Sequence, residues 1–250
     1  MPDEIAAKAV GAGIKKANLS IFKMILLGMF AGAFIALAGV GATFGNVYVG
    51  KIAGALIFPA GLAMVVVAGS ELFTGNCLMV TALLSREIGP LKLLKNWCFV
   101  FLGNLIGAVA VACIVAASGV LDPIMDSVTA TASAKVSMGF PAALIRGVLC
   151  NFLVCIAVWM AFGAKTVGGK IAAVFFPVML FVLCGFEHSV ANMYYVPAGL
   201  FMNWFNDANT VGLSVQSFLL ENLLPVTIGN TIGGAVMVGG GYYLAYLRKK

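Results

Sequence analysis

Few residues of this chain can do chemistry, and most of them stand in two short stretches built on one pattern. Gly69-Ser70-Glu71-Leu72-Phe73-Thr74-Gly75-Asn76 and Gly185-Phe186-Glu187-His188-Ser189-Val190-Ala191-Asn192 both read G-x-E-x4-N. Each interrupts a long apolar run, so each brings a carboxylate and a glycine break to membrane depth, where ionisable groups are costly and mark function. The second stretch also holds His188, the only histidine of the chain. Imidazole can hold a proton or a hydrogen bond near neutral pH. A further echo follows each stretch: Asn96, Gly103, Asn104, Ile106 and Gly107 recur as Asn222, Gly229, Asn230, Ile232 and Gly233. The chain is therefore two copies of one half.

A helix restarting just after Gly75 or Ser189 would turn its free N–H groups and positive dipole end towards the break, which suits an anion. Glu71 and Glu187 admit two roles. Either carboxylate can accept those N–H groups and hold the interrupted backbone, or it can take a direct part in transport. His188 and Glu187 are sequence neighbours, splayed about 100° apart on any helix, and so do not form a catalytic dyad. There is no G-x4-GK[ST] phosphate loop, and one histidine cannot build a histidine-based metal centre. The six cysteines (77, 98, 113, 150, 155 and 184) contain no C-x-x-C pair and read as small buried hydrophobes. The expectation is a non-enzyme without cofactor or metal.

The elements that must position these groups follow from composition. With 62% hydrophobic and 10% charged residues and a mean hydropathy of +1.07, this is an all-α polytopic membrane protein. A hydrocarbon core of roughly 30 Å takes about 20 helical residues, and the apolar runs are too continuous for barrel strands. Six transmembrane helices are expected, near 20–47, 52–85, 94–120, 138–164, 171–203 and 214–246, the second and fifth long because each contains a break. Residues 1–19, with Asp3, Glu4, Lys8, Lys15 and Lys16, lack the apolar core of a signal peptide and read as an amphipathic cytoplasmic segment on the membrane surface. Residues 20–250 form one transmembrane channel domain, with repeats over about 20–120 and 138–246.

Basic residues bias loops towards the cytoplasm. With both termini inside, that side carries Lys8, Lys15, Lys16, Lys23, Arg86, Lys92, Lys95, Lys165, Lys170, Arg248, Lys249 and Lys250, twelve of the fifteen. The net charge of +6 thus needs no nucleic acid. Three spans per copy is an odd number, so the repeats are inverted, an arrangement that puts the working site near the bilayer midplane where broken helices meet. The frequent glycines, among them Gly28, Gly32, Gly39, Gly103, Gly107, Gly229 and Gly233, predict close helix packing.

Over essentially its whole length the chain resembles the formate/nitrite transporter family, which includes hydrosulfide channels. The resemblance rests on Gly185-Phe186-Glu187-His188-Ser189-Val190-Ala191-Asn192-Met193, on Gly69-Ser70-Glu71-Leu72-Phe73-Thr74, and on Lys92, Asn96, Trp97, Gly103 and Asn104. It implies an aquaporin-like inverted 3+3 protomer with its own pore, assembled as a homopentamer in the cell inner membrane. It places the pore histidine on His188, the facing threonine on Thr74, the vestibule lysine on Lys135 and the vestibule asparagine on Asn151. The apolar slit falls on Leu62 and Phe181, with Phe58 nearby. Taken by residue type alone, Leu62, Phe58 and Phe181 are core, Thr74 back-bonds in a helix and Lys135 snorkels. Arg146, inside the fourth span, has no match in the resemblance; a neighbouring subunit or a lipid headgroup could pair with it.

An anion forced through a dry apolar slit meets a barrier on the order of several kcal/mol, which neutralisation largely removes. The resemblance thus implies a small monovalent anion of a weak acid, formate first, then nitrite or hydrosulfide. Lys135 would draw it in, and it would gain a proton and pass as the acid, by channel conduction or proton symport. His188 would serve as proton source or hydrogen-bonding partner. A water or glycerol facilitator would carry two Asn-Pro-Ala boxes, and no Asn-Pro pair occurs.

Overall fold

Glycine ends two of the apolar helices and thereby shapes the bundle. In the computed structural model, which describes residues 1–206 and 208–248, the regular structure is helical. A first helix, α1 (Pro2–Ala17), precedes two spans, α2 (Ile21–Tyr48) and α3 (Lys51–Ala68). After a break, α4 (Phe73–Leu84) completes the second span, and α5 (Pro90–Ala117) is the third. The second half repeats the order: α6 (Met125–Val136), α7 (Phe140–Gly163), α8 (Val167–Cys184), a break, α9 (Ser189–Phe205) and α10 (Val215–Tyr246). Six of these helices are long and apolar enough to cross a membrane. The six expected spans are thus present, with the second and fifth broken. Lys249 and Lys250 of the basic tally lie outside the described residues.

Both breaks begin at a glycine in the left-handed region, Gly69 at φ +80 and Gly185 at φ +70. A side chain would be strained there, and the turn lets the next N–H groups close the helix: Ser70 donates to the Val65 carbonyl and Phe186 to that of Phe181, both at 3.0 Å. The second helix restarts at Ser189 as the sequence suggests. The first restarts at Phe73, ahead of Gly75, because a side chain from α5 already satisfies the Phe73 N–H.

The halves pack alike, α2 on α5 and α7 on α10, through backbone contacts that only glycine permits. A Cβ on Gly107 would collide with the Met29 carbonyl, and one on Gly233 with that of Val148. Such proximity lets dispersion hold helices together where lipid offers no hydrophobic drive.

The first helix does not lie free on a lipid surface. Its buried face consists of Ala6, Ala9, Gly13 and Ala17, small enough for close packing on protein. Gly13 meets Ala82 of α4, Ile5 meets Gly163 of α7, and Lys8 Nζ donates to the Phe162 carbonyl at 3.1 Å. Acidic Asp3 and Glu4 in its first turn and Lys15 and Lys16 in its last match the helix dipole. Ala6 and Ala9 share an apolar cluster with Tyr242 and Leu247, so both ends of the chain lie on one side of the bundle. The polar stretch Ser127–Ser133 is likewise helical, as part of α6, which packs Ala132 on Gly199 of α9. Each set of three spans is therefore preceded by a short helix.

Candidate functional site

Extended backbone inside an apolar bundle needs partners for every N–H and C=O. One asparagine per half supplies them. The Asn104 amide donates to the carbonyls of Gly28 (2.8 Å) and Glu71 (2.9 Å), while its oxygen accepts the Phe73 N–H at 2.9 Å. Asn230 does the same for Gly147 (2.8 Å), Glu187 (2.9 Å) and the Ser189 N–H (2.9 Å). The Glu71 N–H donates to Leu27 and the Glu187 N–H to Arg146. Of the two roles open to the carboxylates, one was to accept the restart N–H groups. They do not, because an acceptor-only carboxylate cannot serve both a carbonyl and an N–H, whereas an amide can.

The carboxylates instead anchor ion pairs. Lys16 Nζ lies 2.7 Å from Glu71 Oε1, and Lys135 Nζ lies 2.9 Å from Glu187 Oε2. Asn76 and Asn192 each donate at 2.7 Å to the carboxylate of their own half, and at 2.8 Å to Asn96 and Asn222 respectively. Asn96 in turn donates to the Lys16 carbonyl and Asn222 to the Lys135 carbonyl. The resemblance placed Lys135 in the vestibule but not in an ion pair with Glu187; Lys16, its counterpart in the other half, was not singled out. A signal existed, since Lys16 precedes Glu71 by 55 residues and Lys135 precedes Glu187 by 52.

The two pairs open on opposite cavities. One, of about 270 Å³, is lined by Lys135, Glu187, His188, Asn192, Tyr195, Asn46, Ser127, Phe58 and Phe181 among others. The other, of about 190 Å³, is lined by Lys16, Glu71, Asn76, Ser70, Lys170, Leu62 and Leu72 among others. Between them lies a void of only about 10 Å³ bounded by Ile35, Phe58, Leu62, Leu72, Val154, Val178, Phe181 and His188. That space holds at most about one water molecule. Phe58 meets Phe181 edge-on at 5.9 Å between centroids, and Phe181 stacks on His188 at 5.9 Å. Leu62, Phe58 and Phe181 thus stand together in the path between the mouths.

His188 caps α9. Its Nδ1 accepts the Ala191 N–H at 3.1 Å, and its Nε2 lies 2.8 Å from Thr74 Oγ1. A nitrogen that accepts an N–H carries no proton, so Nε2 bears the hydrogen and donates to Thr74. The Thr74 hydroxyl then keeps its own hydrogen, for which no acceptor stands among the described residues. A second proton on the ring would have to displace the Ala191 bond. Asn151, assigned to the vestibule by resemblance, is fully buried behind this pair, donating to the carbonyls of Thr74 (3.2 Å) and Asn230 (2.7 Å). It borders neither mouth cavity and fixes the threonine instead. Arg146 is exposed on the outside of the bundle.

A narrow void between two mouths that each hold an ion pair, built on inverted halves, finds its match among known proteins. The sequence profile described as formate/nitrite transporter covers residues 3–244. The chain belongs to the formate/nitrite transporter family. It is 41% identical to the uncharacterized transporter YrhG of Bacillus subtilis, over 99% of this chain and 94% of that protein. It is 36% identical to the formate channel FocA of Escherichia coli K12, over 100% and 95% respectively. Among solved structures, a pentameric formate channel with formate bound superposes with a TM-score of 0.81 at 35% identity, over 91% of this chain and 98% of that one. As a member of the formate/nitrite transporter family the chain is an integral membrane transport protein of the channel type, not an enzyme.

Proposed function

We propose that this protein passes small monovalent anions of weak acids, formate first, by neutralising them before a dry slit. The observation that carries the reading is the void of about 10 Å³ walled by Phe58, Leu62 and Phe181 between two mouths that each hold a lysine. A charge in such a gap costs several kcal/mol, so the path favours the neutral acid. The lysines raise the anion's local concentration, the acid forms in the wet mouth, and it crosses past His188 and Thr74. Because the Ala191 N–H occupies Nδ1, the imidazole serves as a fixed donor through Thr74, and the proton comes from solution on the side of entry. His188 borders the narrowest point, and the buried Thr74 hydroxyl holds its ring there.

Proton-linked uptake follows from this scheme as acid symport. The names of FocA and of the formate-bound channel support formate over nitrite and hydrosulfide. The pentameric relative supports a homopentamer here, and the basic bias of the terminal side supports an inner membrane orientation with both ends cytoplasmic. The test is uptake of formate, nitrite and hydrosulfide into proteoliposomes, with and without an inward proton gradient, for wild type and His188→Phe. Formate uptake is expected to rise with the gradient and to fall by about tenfold in the variant, the worth of one hydrogen bond of about 1.4 kcal/mol. Flux indifferent to both gradient and variant would leave plain anion conduction and overturn the neutralisation scheme.

A further inference from the structure

The two mouths carry the same buried ion pair but not the same charge. In the mouth facing away from the termini, Lys135 is matched by Glu187, and the lining polar side chains without a hydrogen bond among the described residues, Asn46, Ser127 and Tyr195, are neutral. In the mouth on the terminal side, Glu71 is matched by Lys16 at 2.7 Å, and a second lysine, Lys170 from the first turn of α8, lines the same cavity. Two lysines against one glutamate leave that cavity with a formal charge of +1, where the other has zero. Among the described residues neither Lys170 nor the Ser70 hydroxyl, which line the same cavity, has an ion pair or side-chain hydrogen bond. A free ammonium and a free hydroxyl facing one cavity of about 190 Å³ are complementary to a small oxyanion: a point charge for its charge and a donor for its second oxygen.

We infer that Lys170, with Ser70, forms an anion-holding site at the terminal-side mouth, which binds small monovalent carboxylates or their inorganic equivalents before they reach the slit. Lys16 and Lys135 are each matched by a glutamate that cancels most of their long-range field, so the attraction this mouth has beyond the other comes from Lys170. The inference rests on the proposed transport of such anions through this pore. It adds a sidedness that the inverted repeat alone would not produce, because Asn46 and Ser127 cannot supply charge opposite it. Anions therefore enter from the terminal side at lower concentration than from the other side.

The experiment measures labelled formate uptake into right-side-out and inside-out membrane vesicles from cells expressing the full chain, the face being assigned by protease access to an amino-terminal tag. Wild type should show the lower KM for entry from the terminal side. Lys170→Gln should raise that KM about fivefold to tenfold and the maximal rate from that face in proportion, since a passive path keeps the ratio of maximal rate to KM equal from both faces, leave the opposite face unchanged, and remove the sidedness. Lys170→Arg should restore it, and added salt should flatten the wild-type difference. Equal KM values from both faces in wild type, or a rise at both faces in Lys170→Gln, would overturn the site. If wild type takes up no formate from either face, the formate reading fails separately, and nitrite or hydrosulfide in the same vesicles tests the site.

Discussion

The two halves agree atom for atom in the groups that hold the breaks open and differ in the groups that face the passage. Glu71, Asn76, Asn96 and Asn104 make the same bonds as Glu187, Asn192, Asn222 and Asn230, and Lys16 stands to the first set as Lys135 does to the second. Three to five residues past each glycine the two halves differ. Leu72 occupies the place of His188, Phe73 that of Ser189 and Thr74 that of Val190. The shared set answers a problem common to both halves, unpaired backbone in an apolar medium. The differing set answers one that arises once per pore, which is how to meet a small polar molecule at the single narrowest point. One half supplies the ring and the other the hydroxyl, so the His188–Thr74 bond is also a tie between halves.

The sharpest way to break the likeness is to remove one amide. Asn104→Leu and Asn230→Leu each strip partners from two carbonyls and one N–H that stay buried. At about 1–3 kcal/mol for a buried group left unmade, with some relaxation, each change should cost roughly 3–5 kcal/mol. The measurement is the thermal midpoint of detergent-purified protein, and the two losses should be nearly equal. A tolerated change in one half would mean that the bridge supports only one of the breaks.

A smaller effect separates the lysines from the asparagines. Lys16→Met leaves Glu71 and Lys135→Met leaves Glu187 buried beside amide donors alone; the carboxylates' side chains are only 7% and 5% exposed. Because both lysines retain some solvent, the loss should be about 1–3 kcal/mol in each half, below that of a fully buried pair. Adding Glu71→Gln to the first variant, or Glu187→Gln to the second, should recover most of it by removing the stranded charge. Failure of both double variants to recover would show that the lysine stems contribute by packing and that the pairing is incidental.

Much of this was legible in the chain before its structure. The echoes at Glu71/Glu187, Asn96/Asn222 and Asn104/Asn230 lie at nearly constant spacing, and the glycines mark where the helices stop. What spacing could not give is which atoms meet. The carboxylates looked like the natural caps for the restarted helices, yet the asparagines well inside α5 and α10 took that role, since an amide both donates and accepts while a carboxylate only accepts. Lys16 was hidden because it precedes the first span, in a helix whose alanine and glycine face reads as weakly amphipathic but packs closely on α4 and α7. Asn151 was expected beside the passing anion and lies behind Thr74, a distinction of depth along one helix face that sequence does not carry.

The smallest expected effect lies at Arg146, whose counterpart in the first half is Leu27. Each residue uses only its carbonyl towards the break, accepting from Glu187 at 3.3 Å and from Glu71 at 3.2 Å. The Arg146 side chain points away from the bundle and forms no ion pair among the described residues. Arg146→Leu makes the halves alike at this position and removes no contact within the protomer. The thermal midpoint of a monodisperse protomer should then correspond to a change below about 0.5 kcal/mol, as for an exposed site. An exposed cation inside a span nevertheless needs a counter-charge, which must come from outside the chain. A loss of stability confined to the assembled oligomer would assign that counter-charge to a neighbouring subunit, while a loss appearing only with anionic lipid would assign it to a phosphate headgroup. A large loss in the isolated protomer would contradict the equivalence of Arg146 and Leu27 on which the comparison of the two halves depends.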